Sequence, residues 1–184
     1  MRELDVIISR YSELKAQNIR CILATVVHVD GSSYRRAGAR MLVDEYGNIT
    51  GAISGGCLEG DALRKALFAL DRQKNKLVTY DTSDEDDAVI GAQLGCNGII
   101  QVLFEPMDYT DANNSCELLR KLGKEEVPMA ISILFDLDKS QKQLGTILIA
   151  DMTSNLIIHG KQAQPQLEKQ IKCAHRPFRN AVAF

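Results

Sequence analysis

GSSYRRAGARMLVDEYGNITGAISGGCLEGD, residues 31–61, decides the reading of this chain. Two polar, glycine-bearing loops, Gly31–Gly38 and Ser54–Cys57, flank a pair of short apolar runs joined by a turn at Tyr46-Gly47-Asn48. The alternation predicts a hairpin over 39–45 and 48–53. The second loop runs straight into a helical pattern over 57–71, whose apolar stripe is Leu58, Ala62, Leu63, Ala66, Leu67 and Leu70. A strand–loop–helix junction of this kind offers backbone amides and a partial positive charge to an anion. Ser32, Ser33, Arg35, Arg36 and Arg40 add hydroxyls and guanidinium groups, and Cys57 adds a thiol. The set suits an anionic, phosphorylated small molecule and some handling of sulfur.

Each feature also has a plainer reading. A Gly-Gly pair before a helix serves equally as a tight turn with an inert cysteine. The arginines could be a solvated hairpin tip, Arg36 above all. Glu59 and Asp61 in the first helical turn suit the helix dipole but repel a phosphate. A second cysteine-bearing turn, Leu94-Gly95-Cys96-Asn97-Gly98, precedes a strand. Packed beside the first, it would pair Cys96 with Cys57 as a two-thiol site.

Outward from this region the chain reads as a helix over 3–17, stopped at Asn18, and a buried strand over 20–29. Further on come a strand over 76–80, an acidic loop over 81–87 and a strand over 99–104 closed by Pro106. The pattern then restarts: a helix over 111–122, a strand over 127–135, and Gly145–Asp151 echoing Gly38–Asp44. The expectation is an α/β fold, a mixed sheet with packed helices and an internal αββ duplication. One domain spans 1–184, with copy one over 1–106 carrying the site and a degenerate copy two over 107–172.

Composition narrows the function. Net charge is −2 over 184 residues, so nothing advertises nucleic acid or an anionic membrane. No apolar run reaches the roughly 18 residues of a membrane span. Five cysteines without a Cys-x-x-Cys pair point to a reducing cytoplasm rather than a disulfide framework. His28, His159 and His175 are scattered, which argues against a metal site. Cys21, Cys116 and Cys173 fall on apolar faces and read as core.

At these residues the chain resembles the XdhC/CoxI family, accessory proteins of molybdenum hydroxylases such as xanthine and carbon monoxide dehydrogenases. The resemblance rests on Gly31-Ser32-Ser33 with Arg35, on Gly38–Val43, on Ile53–Gly60 and on Leu94–Gly98. It covers 1–106 well and 107–172 loosely. Tyr34 stands where the family usually has proline, and Asn97 where it has glycine. Many members continue into a C-terminal Rossmann domain; no Gly-x-Gly-x-x-Gly occurs here, which suggests a fragment or a one-domain member. The resemblance implies transient binding of the molybdenum cofactor, as molybdopterin or its cytosine dinucleotide form. It also implies sulfuration with a cysteine desulfurase and insertion into an apo molybdenum hydroxylase, as a maturation chaperone and not an enzyme of turnover. The residues carried over are Ser32, Ser33, Arg35, Arg40, Ser54, Gly55, Gly56, Cys57 and Cys96, with Cys57 the chemically active one. Bare hairpin edges, and the family's habit, suggest a homodimer. The competing readings are a thiol-dependent sulfur transferase, part of a redox enzyme lacking its Rossmann domain, and a pure docking module.

Overall fold

β1 (Cys21–Gly31) is the axis of the molecule, and Cys21 to Val27 are buried without a break. Such a run has no polar face, so the sheet around it must be covered on both sides. A computed structural model of the protein describes residues 3–81, 98–122, 129–138, 142–151 and 157–160 and shows that cover. β1 lies between β2 (Arg40–Asp44) and β5 (Gly98–Pro106). β3 (Ile49–Gly51) pairs outside β2, and β4 (Lys76–Asp81) outside β5, giving the order β3-β2-β1-β5-β4.

The class is α/β as expected, but every pairing among the described strands is antiparallel rather than mixed. The cause is the path of α2 (Glu59–Arg72). β3 and β4 run in the same direction, yet α2 carries the chain across the sheet to the opposite edge. β4 therefore meets β5 and not β3.

Side chains alternate between two cores. On one face Ile22, Ala24, Val26, Met41, Val43 and Phe104 meet Leu58, Ala62, Ala66 and Leu70 around α2. On the other, Cys21, Leu23 and Leu42 meet α1 (Glu3–Ala16) through Ile7, Tyr11 and Leu14. They also meet α3 (Ser115–Leu122) through Cys116 and Leu119. Each fully buried leucine or isoleucine contributes about 1.5–3 kcal/mol. α1 stops where the sequence places its stop. Asn18 takes the left-handed conformation (φ 55°), and the Ile19 amide returns to the Leu14 carbonyl at 2.9 Å.

A second sheet, β6 (Met129–Leu134), β7 (Gly145–Asp151) and β8 (Ile157–Gly160), is an antiparallel meander. Ile133 and Phe135 pack on Val27, Leu77 and Leu103. Glu105, buried at the end of β5, accepts the Thr146 amide at 2.7 Å and its hydroxyl at 2.9 Å. The order helix–strand–strand–strand thus occurs as α1-β1-β2-β3 and again as α3-β6-β7-β8. The acidic loop from 82 onward lies outside the described residues. Among the described residues, no helix is long and apolar enough to cross a membrane.

Candidate functional site

The topology brings the motif-bearing segments to one end of the large sheet. β1, β3 and β4 finish there, and β2 and β5 begin there. The segment 32–39 follows β1. Gly38 (φ 95°) allows the return: its amide reaches the Val26 carbonyl at 2.7 Å, and the Val26 amide reaches the Ala39 carbonyl at 2.9 Å. Gly98, the last residue of the third motif, opens β5 directly against this loop. A Cβ there would overlap the backbone of Asp30 and Ser32. Cys96 and Asn97 lie outside the described residues.

The first and second loops touch through an unexpected pair. A Cβ at Gly55 would stand 3.1 Å from both Cγ and Cδ1 of Tyr34. Tyr34 is nonetheless 74% exposed. Its ring leans on the backbone of the second loop and leaves the rest of its surface to solvent. Cys57, two positions on from Gly55, is exposed. Gly56 (φ 110°) has nothing within 4 Å of where a Cβ would stand, so open space adjoins it.

The second loop is organised from within. The buried Ser54 hydroxyl accepts the amides of Gly56 at 3.2 Å and Leu58 at 3.1 Å. It donates to Glu59, whose carboxylate also accepts the amides of Ser54 at 2.8 Å and Ile53 at 3.2 Å. Burial alone would raise the Glu59 pKa; the Ser54 hydroxyl and the loop amides outweigh it and hold the group below its ordinary range. An internal carboxylate and a hydroxyl thus engage the amides of Ile53, Ser54, Gly56 and Leu58. Asp61 is countered by Arg64 at 3.0 Å and Lys65 at 2.6 Å.

The arginines are dispersed. Arg35 pairs with Glu3 of α1 at 2.9 Å. Arg40 projects to one fixed face, as a residue at a strand start should, but that face is the one covered by α1 and α3. It shares the face with Leu42 and Asp44, while Met41 and Val43 point toward α2. Its guanidinium donates to the Gly38 carbonyl at 2.9 Å and lies within the field of Glu105. Burial pulls its pKa down, with Glu105 opposing. Arg40 thus takes the face opposite the one that α2 covers. Arg36 and Ser32 are exposed. The Ser33 hydroxyl oxygen is shut from solvent without a hydrogen-bond partner among the described residues.

Two of the expected core cysteines are buried. Burial pushes Cys21 up to about 11 and Cys116 well above the ordinary thiol range, so both are inert at neutral pH. No cluster of metal-ligating side chains occurs among the described residues. Sequence reasoning missed Tyr34 and the Ser54–Glu59 unit. A capping box places its acid three residues after its hydroxyl, whereas Glu59 follows Ser54 by five, so the usual signal is absent.

Comparison with known proteins gives the following. Residues 14–81 match the XdhC and CoxI family. The chain is 46% identical over 84 residues to a probable xanthine dehydrogenase subunit of Bacillus subtilis (strain 168), covering 46% of this chain and 26% of that protein. It is 28% identical over 114 residues to the "Molybdenum cofactor insertion chaperone PaoD" of Escherichia coli (strain K12), covering 61% of this chain and 36% of that protein. A crystal structure described as a xanthine dehydrogenase from Bacillus halodurans superposes with a TM-score of 0.64 at 29% identity, over 91% of this chain and 47% of that one. The chain spans less than half the length of each of these proteins.

Proposed function

We propose that this chain, whose residues 14–81 match the XdhC and CoxI family, serves the maturation of a molybdenum hydroxylase. It holds the molybdenum cofactor as cargo, as molybdopterin or its dinucleotide form, and passes it to the apo-enzyme. It is not itself a catalyst of turnover. One observation carries this reading: the exposed Cys57 thiol stands at the sheet end where the first and second loops meet and the third motif ends. A dithiolene-bound metal is soft, and a thiol is the side chain suited to meet it. Similarity to a cofactor insertion chaperone supports the assignment of cargo.

Within that reading the cargo contacts come from Ser32, Ser33, Tyr34, Gly55, Gly56 and Cys57, with Ser54 and Glu59 shaping the loop. Arg35 can turn from Glu3 toward a phosphate, since an exposed ion pair of this kind contributes at most about 1 kcal/mol. Cys96, two residues before Gly98 in the sequence, is the proposed second thiol. A cysteine desulfurase and a second copy of the chain are the proposed partners in sulfuration and assembly.

The test is purification after co-expression with cofactor synthesis, followed by oxidation and pterin fluorescence. The account expects bound pterin in the wild type and its loss in Cys57→Ser, with folding unchanged. A wild-type protein without pterin but with a persulfide on Cys57 would replace the carrier by a sulfur transferase. Neither signal would leave a docking module.

A further inference from the structure

We propose that Tyr34 is a stacking platform for the flat ring system of the cargo, holding it beside Cys57. The inference rests on the carrier reading given above and names the residue that would position the pterin. A single exposed aromatic is ordinary on a protein surface. Tyr34 differs in how it is held. A Cβ at Gly55 would lie 3.1, 3.1 and 3.4 Å from Cγ, Cδ1 and Cδ2, three adjacent ring atoms. Near-equal distances to adjacent atoms mean approach to the face of the ring and not to its edge. One face is therefore braced on the Gly55 backbone, where an added Cβ would press on the ring. The residue as a whole remains 74% exposed, so the other face is open.

The surroundings say what that face can take. Gly56 borders open space, and the Cys57 thiol is exposed next to it. The amides of Ile53 and Ser54 are engaged by Glu59, and those of Gly56 and Leu58 by Ser54. The rim of this loop thus presents an aromatic face and a thiol, with a carboxylate behind them that disfavours a phosphate. That pairing fits a planar heteroaromatic ring fused to a sulfur-bearing end. Rings of this type stack on tyrosine without needing specific hydrogen bonds. The cargo's phosphate then points away from the second loop.

The experiment uses cofactor released anaerobically from a purified molybdenum hydroxylase. Binding is measured by ultrafiltration with pterin quantified by fluorescence, for the wild type, Tyr34→Phe and Tyr34→Leu. Tyr34→Phe keeps the face and should bind within about twofold of wild type, while Tyr34→Leu should weaken binding about tenfold or more. Thermal unfolding should be the same for all three, because the ring is exposed. In the wild type, cofactor should protect Tyr34 from nitration. Wild-type affinity in Tyr34→Leu, or no protection, would overturn the platform and leave the carrier reading standing. No binding by the wild type would overturn the carrier reading, and the platform with it.

Discussion

Gly51 shows how much a single position decides. It holds φ 84°, and a Cβ there would overlap the Arg40 carbonyl oxygen. Gly51→Ala should therefore cost about 2–3 kcal/mol in urea unfolding. Gly60, with nothing within 4 Å and an ordinary φ, should instead gain about 0.5 kcal/mol on replacement by alanine. Arg40 makes the complementary point. Its side chain is buried in the field of Glu105, so Arg40→Ala should cost roughly 2–4 kcal/mol, whatever it does to cargo. The sequence placed Arg40 at the head of a strand, yet it could not say which face the arginine takes. β2 is buried on both faces from Arg40 to Asp44, so no apolar–polar alternation marks inside from outside. Tyr34 was legible only as a departure from the family pattern, because its partner is a glycine with no side chain to advertise the contact.

At the scale of the element, the start of α2 is the informative piece. Leu58 is its N-cap and makes no side-chain cap. That role falls to Ser54 and Glu59, which tie the preceding turn to the helix. Ser54→Ala should cost about 1–2 kcal/mol, since it strips the partner from two amides. The sign of the pH effect follows from the depressed Glu59 pKa. Its stabilisation is present above the unfolded value, about 4.3, and is lost as pH falls through the lower folded value. Glu59→Gln should thus be less stable than wild type at neutral pH, and the gap should close below about pH 4. A constant gap across the acid-to-neutral range would contradict the assignment. α3 carries a further test: Cys116 is fully buried among apolar side chains, so Cys116→Ser should lower stability by about 1–3 kcal/mol. Helices and strands themselves were legible from periodicity because each buries one stripe or one continuous run. The Ser54–Glu59 unit was not, because its hydrogen bonds follow from the path of the turn and not from residue spacing.

For the molecule as a whole, buried contacts such as that of Glu105 with Thr146 join the two sheets. Gly145, at φ 82°, fits because it carries no Cβ; one there would overlap the Glu105 carboxylate and crowd the Asn75 amide. Gly145→Ala should loosen β6–β8 and lower the melting temperature by several degrees, about 2 kcal/mol in a domain this size. Hydrogen exchange would place the loss in the second sheet. The sequence showed the recurrence of elements between Gly38–Asp44 and Gly145–Asp151, but not the antiparallel pairing of the larger sheet. That pairing is set by α2 crossing to the far edge, a non-local choice that no local pattern records. The meeting of the two loops follows instead from β1 and β3 finishing at the same end of the sheet, where Gly55 lies against Tyr34. The central claim is that this sheet end carries cofactor to a client through Cys57. Its most direct test is reconstitution of an apo molybdenum hydroxylase with cofactor-loaded wild type, Cys57→Ser and Cys116→Ser, read as the initial rate of activation. The account predicts activation by the wild type, activation by whatever fraction of Cys116→Ser is folded, and at least about a tenfold loss with folded Cys57→Ser. Activation by Cys57→Ser at the wild-type rate would contradict it.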